Sequence, residues 1–141
     1  MLIIPRELLQ IIVAHGWRCC PDECCGLLSG KYEGDRRVVL AVYEAENTIA
    51  APARDRYAID PLQYAKLEKS LQSRGRVVVG FYHSHPGSPP LPSAFDLDAA
   101  WPTESLSHLI VSLQEDGSPL WKSWVWHPDG PTLREEQVEI A

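Results

Sequence analysis

The sequence predicts an α/β or α+β fold, a single mixed β-sheet flanked by helices. Three observations carry this. Two segments, 5–15 and 61–71, place apolar residues at helical spacing. A continuous apolar run, Val77-Val78-Val79-Gly80-Phe81-Tyr82, has the character of a strand covered on both faces. Shorter β-type segments separated by turn residues supply its neighbours. The chain has 141 residues, room for one hydrophobic core, so residues 1–141 are expected to form one domain. A hydrophobic share of 45% and five tryptophans exclude a disordered chain.

The elements follow in order. Residues 5–15 form a helix: Pro5 suits its first turn, Leu8, Leu9, Ile12 and Val13 line one face, and Gly16 can end it. Residues 24–29 make a short apolar strand. Residues 30–36 carry two glycines and four charges, a hairpin turn, and residues 37–44 return as the partner strand. Residues 47–55 are loop-like and Tyr57-Ala58-Ile59 is extended. Asp60 caps a second helix with Pro61 at its first position, and Gly75 stops it. The strongest strand ends in His83-Ser84-His85. Residues 86–92 form a loop stiffened by four prolines. Ser93 opens a short helix reaching about Trp101. Strands follow at 107–113 and 120–126, with a final one around 133–140, separated by turns at 115–118 and 127–130.

Net charge is −6, so no broad basic surface for nucleic acid is expected. No apolar run approaches the roughly 18 residues of a membrane helix. The first residues show no basic leader or cleavage site, so no secretory signal is expected. Cys19, Cys20, Cys24 and Cys25 fall too close together to staple distant loops, which favours a reduced, cytoplasmic protein. Adjacent pairs also lack the usual gap between zinc ligands, and small buried residues are the simpler reading. Trp124 and Trp126 share a strand face with Trp121 opposite, a pattern suited to core packing. His15, His108 and His127 match no motif and are expected to cap elements or lie on the surface. Asp22 and Asp98 are expected to be solvated.

Chemistry concentrates between Gly80 and Asp96. Histidines at i and i+2 on extended backbone point to one side, so His83 and His85 can reach one ion. The proline loop can return a third donor, Asp96, to the strand end. Two nitrogens and a carboxylate leave a tetrahedral position open, the pattern of catalytic zinc. Plainer readings exist for each part. His-x-His is a weak signal, and Ser93-x-x-Asp96 is also a helix capping box. A capping Ser93 would itself fix where Asp96 points. Glu23 beside Asp22 could be a surface acid.

His83-Ser84-His85-Pro86, six further residues, then Ser93-x-x-Asp96 resembles the zinc motif of the JAMM (MPN-plus) metalloproteases. Glu23-Cys24-Cys25-Gly26-Leu27-Leu28 resembles the glutamate-bearing strand of that family, and Tyr57-Ala58-Ile59-Asp60-Pro61 extends the likeness to most of the chain. The resemblance implies an MPN fold, akin in layout to the cytidine deaminases. It implies one zinc ion, Zn2+, per chain, held by His83, His85 and Asp96. It further implies Glu23 as general base and Ser93 as hydrogen-bond donor to the oxyanion. The apolar neighbours of Glu23 could raise its pKa towards neutrality.

Short prokaryotic members hydrolyse the bond after the C-terminal Gly-Gly of a ubiquitin-like or sulfur-carrier protein, which would be the partner here. Residues 47–56 and 87–92 are the surface loops expected to choose it. The alternatives are a metallopeptidase acting on another peptide and a non-catalytic binding scaffold. A nucleobase deaminase, with a similar α/β layout, is a third alternative; the absence of its His-x-Glu and Pro-Cys-x-x-Cys motifs and the acidic net charge argue against it.

Overall fold

The computed structural model describes residues 1–50, 52–99 and 105–141. Eight strands form one mixed sheet: β1 (Leu2–Ile4), β2 (Cys25–Glu33), β3 (Arg36–Ala45), β4 (Val77–Pro86), β5 (Ser107–Leu113), β6 (Leu120–Trp126), β7 (Leu133–Glu136) and β8 (Val138–Ile140). Their order across the sheet is β7-β6-β5-β4-β2-β3-β1-β8. Three helices accompany them: α1 (Arg6–Cys19), α2 (Pro61–Gln72) and α3 (Ala94–Ala99). Among the described residues no helix is long and apolar enough to cross a membrane.

Helix α1 covers one face. Leu9 and Ile12 are buried against Leu28, Val79, Tyr82, Leu109 and Val111, with Leu8 and Val13 packed alongside. Helix α2 covers the other face, where Leu71 joins Leu27, Val78 and Phe81. Strand β4 therefore feeds both cores, as its unbroken apolar run predicts. Asp60 caps α2 through the Leu62 N–H at 3.0 Å, with Pro61 at the first position.

Gly16 does not end α1; the helix continues to Cys19 and Pro21 follows. A Cβ at Gly16 would stand 2.9 Å from Leu113 Cδ1 and 3.4 Å from Ser84 Cβ, so the missing side chain lets α1 approach the sheet. Gly26 serves a similar purpose on β2. The Tyr82 ring lies across it, 2.3 Å from where a Cβ would sit, and Tyr82 Oη meets His15 Nδ1 at 2.8 Å. The expected turn over 30–36 is shorter, because β2 runs to Glu33 and β3 begins at Arg36.

The final strand expected over 133–140 is two strands on opposite ends of the sheet. Strand β7 pairs with β6 and β8 pairs in parallel with β1, with Gln137 between them. The sheet must therefore curl until its ends meet. Glu136 sits at that seam: its carboxylate accepts from Arg37 Nη1 at 3.0 Å, from Ser123 Oγ at 2.7 Å and from Ser107 Oγ. The reach of the α3 helix to Trp101 lies outside the described residues.

Candidate active site

His83 and His85 stand near the C-terminal end of strand β4. Strand β4 is paired on both sides at His83, opposite Cys25 of β2 and Ile110 of β5, and on the β5 side at His85, opposite Ser112, so the sheet holds the backbone under both imidazoles. Their Nε2 atoms are 3.1 Å apart. His85 Nδ1 donates to Pro89 O at 2.8 Å, which orients the ring so that its Nε2 points at His83 Nε2 and Asp96 Oδ2. His83 is 2% exposed, and the Tyr57 ring stacks on it with centroids 4.4 Å apart.

Asp96 enters from the first turn of α3. The capping box and the site coincide: Asp96 N–H donates to Ser93 Oγ at 3.1 Å, and Ser93 N–H donates to Asp96 Oδ2 at 2.8 Å. This fixes the carboxylate so that Oδ1 lies 3.2 Å from His83 Nε2 and Oδ2 lies 3.1 Å from His85 Nε2. The proline loop that delivers α3 is pinned along its length. Gly87 N–H bonds Leu113 O, Ser112 Oγ bonds Ser88 O, and Trp124 Nε1 donates to Pro90 O at 3.1 Å. Trp124 thus braces this loop, while Trp121 packs against the core under α1.

Glu23 arrives just before β2 and is buried, 4% exposed. Reciprocal bonds between Cys24 and Ser84 (Cys24 N–H to Oγ at 2.8 Å, Ser84 N–H to Cys24 O at 3.1 Å) hold this stretch to β4. One ligand atom from each of Glu23, His83, His85 and Asp96 lies within 4.8 Å of the others. Among the described residues no comparable group includes a cysteine. All four cysteines are free; Cys24 and Cys25 are buried, Cys19 is partly covered and Cys20 is exposed.

The charges are tightly coupled. Burial pushes the Glu23 carboxyl up to about 8, His85 opposing and Asp96 reinforcing. Burial acts upward on Asp96 too, but hydrogen bonds from His83, His85 and the Ser93 N–H outweigh it and hold the carboxyl well below its ordinary range. Burial lowers His83. On His85 the bonds to Asp96 and Pro89 O outweigh burial and raise it.

The donor set fits a small divalent ion. Two donors about 2.0–2.1 Å from a tetrahedral zinc lie roughly 3.3 Å apart, and the separations here are 3.1–3.2 Å. Glu23 Oε1 is buried and has no hydrogen-bond partner among the described residues, and Asp96 Oδ1 is buried with only His83 Nε2 close by. Such orphaned oxygens are costly unless something else meets them.

Several residues behave differently from the sequence-based expectation. His15 and His108 are not at the surface: both are buried, His15 beneath Tyr82 and His108 stacked on Phe81 with centroids 5.9 Å apart. Asp22 is not merely solvated, since its Oδ1 accepts from the Ala53 N–H at 3.1 Å. His127 does cap a turn, accepting from the Asp129 N–H. Asn47 and the contact of Tyr57 with His83 had no signal in sequence spacing, because both depend on how the segment between β3 and α2 folds back over the site.

The chain is 36% identical over 121 residues to a desampylase from Haloferax volcanii, covering 85% of this chain and 79% of that protein. It is 37% identical over 102 residues to a probable TtuB-protein conjugate cleaving protease from Thermus thermophilus, covering 72% and 65%. It is 30% identical over 119 residues to a CysO-cysteine peptidase from Mycobacterium tuberculosis, covering 82% and 75%. A solution structure of a Desulfitobacterium hafniense protein superposes with a TM-score of 0.86 at 35% identity, covering 100% of this chain and 93% of that one. The family described as prokaryotic homologs of the JAB domain matches residues 5–127, and the chain belongs to that family.

Proposed function

We propose that this protein is a cytoplasmic zinc metallopeptidase that hydrolyses the peptide or isopeptide bond after the C-terminal Gly-Gly of a ubiquitin-like or sulfur-carrier protein. The observation that carries this reading is the buried convergence of two imidazoles and two carboxylates at the end of β4. The relatives named for desampylation, for cleavage of TtuB conjugates and for cleavage of CysO-cysteine support the substrate class. Four free thiols suit a reducing compartment.

His83 Nε2, His85 Nε2 and Asp96 would hold one zinc ion per chain. A bound zinc supplies Lewis acidity and lowers the pKa of water from 15.7 to about 7. Glu23 is the proton carrier. Its Oε1 is buried and has no partner among the described residues, so a proton taken there can pass on to the leaving amine rather than to bulk solvent. Burial places this carboxyl near neutrality in the metal-free site, and a cation beside it would favour the ionised form that accepts a proton. Ser93 Oγ already accepts from the Asp96 N–H, which orients the hydroxyl while leaving its proton to donate to the developing oxyanion. A Gly-Gly tail suits this rim, because glycine lets backbone pass close to fixed walls.

The test is zinc-loaded protein incubated with carrier-cysteine adducts and read by mass spectrometry. Wild type should release cysteine, and Glu23→Gln should retain zinc while losing about 10²–10⁴-fold in rate. Near-full activity in Glu23→Gln would refute the proposed base.

A further inference from the structure

The two histidines are steadied differently. His85 has its second ring nitrogen tied to Pro89 O. A metal-binding histidine ordinarily uses that nitrogen in this way. His83 Nδ1 is buried and has no hydrogen-bond partner among the described residues. What restrains its ring is Tyr57, stacked at 4.4 Å with only 25° between the planes.

Tyr57 belongs to neither helix nor strand, so something must hold it. Asn47 does so from both sides. Its Oδ1 accepts from Ala58 N–H at 3.1 Å, and its Nδ2 donates to Arg56 O at 3.2 Å. The same Oδ1 also accepts from Ile49 N–H, and the same Nδ2 donates to Glu23 O at 3.2 Å. The amide's two donors and two acceptor sites are all used. Thr48 N–H bonds Ala58 O at 2.9 Å, and Glu23 N–H bonds Ala53 O at 2.8 Å. Glu23 is therefore bonded through both its N–H and its C=O to the segment that carries Tyr57. Arg56, next in line, lies 3.8 Å over the ring of Phe95, the neighbour of Asp96.

We infer that Tyr57 is the positioning residue for His83, and that Asn47 locks it in register with Glu23. The inference rests on the metallopeptidase reading and adds to it a device for holding the least tethered ligand. Turning the His83 ring would require displacing Tyr57, and displacing Tyr57 would break the Asn47 bonds that also hold the Glu23 backbone.

The test measures zinc affinity by chelator competition, together with the visible spectrum of the cobalt-substituted protein. Tyr57→Leu removes the ring. It should lower zinc affinity by about 10–100-fold, the usual cost of losing support behind a ligand, and should alter the cobalt spectrum. Tyr57→Phe keeps the stack and should restore both. Asn47→Asp keeps the acceptor and loses both donors. It should also lower zinc affinity, and it carries the test if Tyr57→Leu fails to fold. The inference is overturned if the folded variants bind zinc as wild type does, or if Tyr57→Phe falls as far as Tyr57→Leu. A wild-type protein that takes up no zinc would defeat the metallopeptidase reading and this inference together. Wild-type uptake with indifferent variants would defeat the inference only.

Discussion

Replacing His108 by phenylalanine should make the protein less sensitive to acid. His108 is 5% exposed, stacks on Phe81, and has no hydrogen-bond partner for Nε2 among the described residues. Burial, helped by the nearby His83, lowers its pKa from 6.5 to about 4. The folded state thus disfavours the imidazolium. Between these two values the unfolded chain binds more protons, so stability rises with pH through that window. The contribution is complete above pH 6.5 and is lost as pH falls towards 4. Linkage arithmetic puts the loss between pH 7 and pH 5 at about 2 kcal/mol, and at about 3 kcal/mol once the window is crossed. Urea unfolding of chelator-treated wild type and His108→Phe, each at pH 7 and pH 5, isolates this amount, since the other titrating groups are common to both. Wild type should lose about 2 kcal/mol more than the variant. Equal losses would show that His108 is already solvated or paired in the folded protein, and the reasoning from burial would fail.

Two further substitutions test the scaffold. Gly26→Ala forces a Cβ into the Tyr82 ring and should destabilise by about 1–3 kcal/mol in urea unfolding; the added variant Tyr82→Leu should recover part of that loss, and strictly additive effects would contradict the contact. Glu136→Ala strips the seam carboxylate from Arg37, Ser107 and Ser123. Its cost should be about 3 kcal/mol by thermal unfolding, and less than about 1 kcal/mol would mean the seam is held by its backbone pairing.

Much of this fold was legible where a local rule and the tertiary structure agree. Asp60-Pro61 signals a capped helix whatever surrounds it, and α2 begins there. The apolar run from Val77 predicts a strand covered on two faces, and β4 is one. Reading failed where one residue type serves two purposes. Gly16 looks like a helix stop, yet it is a point of close approach to Leu113. Leu2–Ile4 is too short to show alternation, and residues 133–140 carry no mark of the switch at Gln137 from one sheet end to the other. In the candidate site, His83, His85, Ser93 and Asp96 stand out because strand alternation and a capping box act over short spacings, whereas Glu23, sixty residues before His83, stands out only through the family resemblance. Asn47 and Tyr57 work across the path of an irregular segment, and no periodicity reports such a path.

The proline loop beside the site has a consequence for turnover. Backbone atoms of Gly87, Ser88, Pro89 and Pro90 are each tied to β5, β6 or His85. A rim anchored at four successive residues cannot swing shut over an incoming chain. Its ordering entropy is lost when the polypeptide folds, not on each encounter with a ligand. Discrimination on this side must then work as a fixed gauge, without a swing of this loop.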